Sequence, residues 1–297
     1  MQIEFPDLKG KEKNTLFIIG NGFDLYHFVL SKYKHFCCWL NLNGYEAFVN
    51  DMERIFPDLD NKQISLWHNF EEALENYSLN DLYKRLHKPN NDIFNPDRWY
   101  KEAREEIGKT VEQIRPLMKE WVKHINISKV EPILNLSKES SYLTFNYTKI
   151  LEDIYKIPQQ NVYHIHGSVD DEEVVTGFNG TKNPDDHDAP TDEEIYVERG
   201  YLEALNKLDK DINGQWKKIC KHFSSLNDVS CVVVLGHSFG KIDLWYLYRI
   251  AKSVKSDAHW HFSKHTEQDE EHINEFLRIC KKERYLNNQV IRWIFNF

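Results

Sequence analysis

Four short segments of this chain carry residue types that nucleotide chemistry uses. The first is Gly20-Asn21-Gly22-Phe23-Asp24, which closes the apolar run Leu16-Phe-Ile-Ile19. Two glycines one residue apart allow positive φ and let a ligand approach the backbone. A helix starting just after them offers unpaired N–H groups and a partial positive charge to an anion. Gly20, Asn21 and Gly22 are therefore candidates to cradle a phosphate, and Asp24 to bond a ribose hydroxyl or order the turn. The plainer account is a simple strand-to-helix turn, because the third glycine of the dinucleotide fingerprint is missing.

Asn146 and His166 come next, each at the end of an apolar stretch, Ser141–Phe145 and Asn161–Ile165. An amide bonds a ribose or a water from two sides. An imidazole takes a proton near neutral pH. The pair suits cleavage of an N-glycosidic bond, which needs a gripped sugar, a stabilised oxocarbenium-like centre and a positioned water or hydroxyl, but no metal. His164 shares the strand face of His166. The plainer account makes Asn146 a helix cap and His166 a satisfied strand-end histidine.

The fourth segment is Gly236-His-Ser-Phe-Gly240 with Asp243 close behind. Gly236, Ser238 and Asp243 can form a second cradle for the same nucleotide. The segment also matches the Gly-x-Ser-x-Gly elbow of α/β-hydrolases, with Ser238 as nucleophile. That reading needs an acid and then a histidine downstream, and Asp257 with His259 or His261 has the order. Two further clusters, Glu71 and Glu72 after Trp67, and the acidic stretch Asp185–Glu194 around His187, read more simply as solvated faces.

The elements that must position these residues follow from periodicity. Strands are expected at 14–20, 141–145, 161–166, 231–235, 258–262 and 290–295. Helices are expected at 24–42, through most of 43–137 with breaks at Pro57, Pro89 and Pro96 and a kink or break at Pro116, from Asn146 through Tyr155, and at 193–226, 242–254 and 267–281. Residues 170–192 read as a long polar loop. Apolar strand runs separated by helices indicate a parallel sheet covered on both faces. The expected fold is α/β, a Rossmann-like, mainly parallel sheet flanked by helices, in one domain (1–297) with a helical insertion at 43–137 after the first strand. Ligands of such sheets bind at the carboxyl ends of the strands, where the four segments lie.

The chain has 297 residues, 41% of them hydrophobic and 13% aromatic, enough for a sizeable core. Its net charge of −9 argues against a general nucleic-acid binder. No apolar run reaches the roughly 20 residues of a membrane helix, and residues 1–14 carry no signal-peptide core, so a cytoplasmic location is expected. The five cysteines are odd in number and lack a Cys-x-x-Cys pair, which argues against a disulfide framework and a structural zinc.

Taken together, Phe17–Leu25, Trp67–Glu71, Thr144–Thr148 with Leu151 and Glu152, His164–Gly167, and Gly236–Ser238 with Asp243 resemble the AbiH family of bacterial abortive-infection proteins. The resemblance implies phage defence by growth arrest or death of the infected cell. A more distant similarity links the same order of motifs to sirtuin-like NAD-binding domains, some of which defend bacteria by destroying NAD. It implies that Asn146 and His166 carry the chemistry. The chain departs from that pattern at Gly20–Asp24, at Thr148, where the pattern has an acid, and in lacking four zinc cysteines, which disfavours deacetylation. The expectation is thus an effector that binds a nucleotide, NAD first, and hydrolyses it, without a metal. The alternative is a nucleotide-sensing or partner-regulated toxin without turnover. Expected partners are the nucleotide, a phage-derived trigger or partner defence protein, and a second copy of the chain.

Overall fold

The computed structural model describes residues 10–59, 67, 70–87, 94–178, 191–283, 285, 286 and 290–294, with backbone alone at 241, 242 and 290–294. In chain order the main elements are β1 (Thr15–Ile19), α1 (Asn21–Tyr26), α2 (Tyr33–Leu42), α3 (Glu46–Ile55), α4 (Phe70–Glu75), α5 (Leu79–Leu86) and α6 (Pro96–His124). They continue with β2 (Ser141–Thr144), β3 (Val162–His164), α7 (Asp192–Leu205), α8 (Ile212–His222), β4 (Cys231–Leu235), α9 (Lys241–Ser253), β5 (His259–Lys264), α10 (Glu267–Lys282) and β6 (Val290–Ile294). Among the described residues, no helix is long and apolar enough to cross a membrane.

The chain divides into two compact units. The first comprises residues 1–31, 122–174 and 212–297 and holds the whole sheet. All its strand pairs are parallel, in the order β3-β2-β1-β4-β5-β6. The chain winds outward from β1 in one direction through β2 and β3, then returns to the other side of β1 for β4, β5 and β6. This is the Rossmann order, and its switch point lies between β1 and β4. Every residue of β1 is at most 1% exposed, as a strand covered on both faces requires. Leu16 and Ile18 join Val232, Val234, Tyr246 and Phe276 on the α9 and α10 face. Phe17 and Ile19 join Phe23, Tyr142, Tyr155 and Val233 on the α1 face.

The second unit, residues 32–121 and 175–211, is helical. Trp67 and Phe70 pack with Phe36, and Phe36 with Trp121, at ring separations of 5.3–5.7 Å for Trp67–Phe70, Phe36–Trp67 and Phe36–Trp121. Glu71 pairs with the fully buried Lys210 ammonium at 2.7 Å rather than lying on a solvated face. His68, Asn69 and Pro89, and residues 179–190 of the expected loop with His187, lie outside the described residues.

Three expected helices differ in the structure. The run 24–42 breaks into α1 and α2. The Phe28 N–H bonds Leu25 O and the Val29 N–H bonds Asp24 O, with Phe28 at φ 59°. This is a Schellman stop with phenylalanine where glycine is usual, so no glycine marks it in the sequence. After Asn146 the chain makes only a five-residue π-helical turn, Ile150–Ile154. The run 193–226 divides into α7 and α8. Pro116, in contrast, sits inside an unbroken α6.

Candidate functional site at the carboxyl edge of the sheet

At the switch point the two glycine turns close on each other. Gly20 N–H donates to Leu235 O at 2.9 Å and Gly22 N–H to Gly236 O at 2.8 Å. A Cβ on Gly20 would stand 2.5 Å from His237 Cα, and one on Gly236, at φ +63°, would stand 2.2 Å from Phe23 N. The glycines serve the approach of one chain segment to another, and those two donors are engaged within the sheet edge. Asn21 is held by Ser31, whose hydroxyl donates to its Oδ1 at 2.5 Å. Ser238 is exposed, and its carbonyl accepts from His272 Nδ1 at 3.0 Å.

On the α1 side a buried polar cluster is built around Asp24. Asn146 Nδ2 donates to Asp24 Oδ1 at 2.6 Å and to Gly20 O at 3.2 Å, and Thr148 Oγ1 donates to Asp24 Oδ2 at 2.7 Å. Burial raises the Asp24 pKa to about 7, although the Thr148 and Asn146 bonds and the His164 charge pull it down. His164 Nδ1 donates to Asn146 O at 2.8 Å, and its Nε2 lies 2.9 Å from Glu152 Oε1. Both ring nitrogens thus face oxygen atoms, an arrangement that favours the protonated ring. Burial opposes that charge, but the Glu152 bond and charge outweigh it and raise the pKa. Asn146 N–H donates to Thr144 Oγ1 at 3.1 Å. Four bonds thus hold Asn146, while its buried Oδ1 has no hydrogen-bond partner.

On the α9 side His166 is 4% exposed, and neither ring nitrogen has a hydrogen-bond partner. Its ring centroid lies 5.5 Å from that of Phe145 and 6.2 Å from that of Tyr147. Its Nε2 is 3.5 Å from Oδ1 of Asp243, in the first turn of α9. His237 stacks edge-on to Phe145 at 4.6 Å and accepts the Phe239 N–H on Nδ1. Burial lowers its pKa to about 4, so it stays neutral at physiological pH.

The structure therefore brings Gly20, Gly22, Asp24, Asn146 and Gly236 into one contiguous edge. It sets His166 with Asp243 on the other side of that edge. Sequence reasoning missed the roles of Thr148, Glu152, Phe145 and His237. Only their presence within the quoted motifs hinted at them. The hydrolase arrangement is not assembled. His259 pairs with Cys231 at the amino end of β5, and Asp257 precedes it, whereas Ser238 follows the carboxyl end of β4. His261 pairs with Val233 in mid-strand. The left-handed residues of the elbow segment are Gly236 and Phe239, not Ser238.

Helix α1, which carries Asp24, is anchored by a second buried network. His27 Nδ1 donates to Phe23 O at 2.7 Å, and the Tyr155 hydroxyl donates to His27 Nε2 at 2.7 Å. The same hydroxyl accepts the N–H groups of Ile133 and Leu134, each at 3.2 Å. Tyr155→Phe is expected to lose about 2–3 kcal/mol of stability, because it strips partners from buried donors. Urea unfolding measures this, and a loss under about 0.5 kcal/mol, the ordinary surface range, contradicts it.

A parallel sheet in the Rossmann order, with a closed polar edge at its switch point, defines a Rossmann-like α/β protein. Residues 16–264 match the family model described as bacteriophage abortive infection AbiH. The chain belongs to that family, and its role is in bacteriophage abortive infection. Searches of the curated proteins and of the solved structures found no match.

Proposed function

We propose that this abortive-infection protein binds a nucleotide, NAD first, at the carboxyl edge beside the β1–β4 switch point, and hydrolyses its N-glycosidic bond. The observation that carries the reading is the immobilised Asn146, whose buried Oδ1 lacks a donor. A ribose hydroxyl supplies that donor. The His166 ring, neither of whose nitrogens is hydrogen-bonded, supports the same reading, since the proton of an attacking water needs an acceptor. The water oxygen bonds to C1′ as the C1′–N bond breaks, and nicotinamide leaves with the electron pair as a neutral ring. No acid is needed for that leaving group. Asp24 presents its carboxylate to Thr148, where the sirtuin-like pattern carries its acid. Asp243 lies 3.5 Å from the His166 ring, and the reading assigns Gly236, Ser238 and the Gly20–Gly22 turn to the phosphate and ribose groups.

A second reading, nucleotide sensing without turnover, is favoured by the placement of Asn146 and His166 on different sides of the edge, each at most 5% exposed. A phage-derived trigger, a partner defence protein or a second copy of the chain then opens the site. Purified protein is incubated with NAD and candidate activators, and nicotinamide release and thermal shift are followed together. Turnover by wild type that His166→Ala abolishes without loss of NAD binding supports hydrolysis. Stabilisation of both proteins without release supports sensing. Silence in both assays overturns both readings.

A further inference from the structure

The helical unit contains a cavity of about 400 Å³. Its lining includes Arg54 of α3, Arg85 of α5, and Arg98, Trp99, Glu102 and Glu106 of α6. Arg54 Nη1 bonds Glu106 at 3.2 Å, and Arg98 Nε bonds Glu102 at 2.8 Å. Arg85 differs, because it donates to the carbonyls of Asp81, Arg54 and Ile55 at 3.2, 2.5 and 3.4 Å. Among the described residues no carboxylate pairs with it. Those bonds hold its plane still and leave one N–H on each terminal nitrogen. Arg54 also lies 3.6 Å from Asp51, so it is the Arg85 charge that a ligand can meet.

We propose that this cavity binds a phosphate monoester of mononucleotide size. Arg85 takes the phosphate with help from Arg54 and Arg98, and the Trp99 indole forms a wall for the organic part. A planar guanidinium fork matches a phosphate in shape and charge. The volume falls within the ~300–1,000 Å³ of small-molecule sites. The site is independent of the carboxyl edge and does not rest on NAD hydrolysis.

Isothermal titration of the whole protein with AMP, inorganic phosphate and adenosine tests it. AMP is expected to bind saturably, phosphate more weakly and adenosine not at all. Arg85→Ala and Arg98→Ala are each expected to weaken AMP about tenfold or more, as loss of a charge-assisted bond does. Arg85 also braces the end of α3, so Arg98→Ala decides the outcome if Arg85→Ala does not fold. The proposal is overturned if AMP does not bind or if the folded arginine variants bind it as wild type does.

Discussion

Asp24→Asn is expected to be more stable than wild type above about pH 7 and to lose that advantage near pH 4. The carboxyl is fully enclosed, and burial raises its pKa from 3.8 to about 7. In the unfolded chain it ionises near its ordinary value. Between those two values the unfolded chain has released the proton while the folded protein retains it. Rising pH then favours unfolding by about 1.4 kcal/mol per unit. Below the window both states are protonated, and above it both are ionised, so the penalty levels off at a ceiling on the order of 4 kcal/mol. Asparagine reproduces the neutral acid, since its Oδ1 accepts from Asn146 Nδ2 and its Nδ2 donates to Thr148 Oγ1. Urea unfolding of both proteins across this range measures the difference. Curves that run parallel at every pH remove the explanation. If the ionised carboxylate serves the ligand, the same variant binds NAD less well while folding better, the usual opposition of site chemistry and stability.

Gly236→Ala is expected to cost well over 3 kcal/mol, at the far end of the range for single substitutions. Two effects act together. The residue is left-handed at φ +63°, and its Cβ would sit 2.2 Å from Phe23 N and 2.5 Å from Gly22 C. These are backbone atoms, which no rotamer change moves aside. Gly44→Ala separates the two effects, because Gly44 is also left-handed, at φ +83°, but has open space around its would-be side chain. It should lose only the 1–2 kcal/mol of the left-handed conformation. Melting temperatures of the two variants give the comparison. A loss at Gly236 no larger than at Gly44 means that the two turns do not press on each other as described.

Much of the fold was legible because burial on both faces writes itself into composition. Cys231-Val-Val-Val-Leu235 is apolar at every position, and the structure places it as β4 beside β1. The Rossmann order itself was less legible, since only spatial pairing shows that β4 returns to β1. The α1–α2 break was hidden because Phe28 occupies the left-handed position without being glycine. At the site, Asn146 was visible as a polar residue ending an apolar run. Its partners were not, because Asp24 and Asn146 meet across 122 residues of chain. The glycine pair illustrates an ambiguity of type. Gly-x-Gly announces close approach to something, and here the Gly20 and Gly22 donors meet a second turn of the chain.

Asn146 carries one further consequence. Its rotamer freedom is surrendered on folding, since two bonds from Nδ2, to Asp24 Oδ1 and Gly20 O, fix the side chain before any ligand arrives. A rigid, lone acceptor of this kind selects mainly by rejection. A ligand that brings a hydroxyl satisfies Oδ1, whereas one without it encloses an unpaired oxygen in a dry edge. Sites built in this way reject the missing hydroxyl by factors of about 10⁴–10⁵. In such a site, discrimination between ribose and deoxyribose is a property of one pinned amide rather than of a shaped sugar pocket.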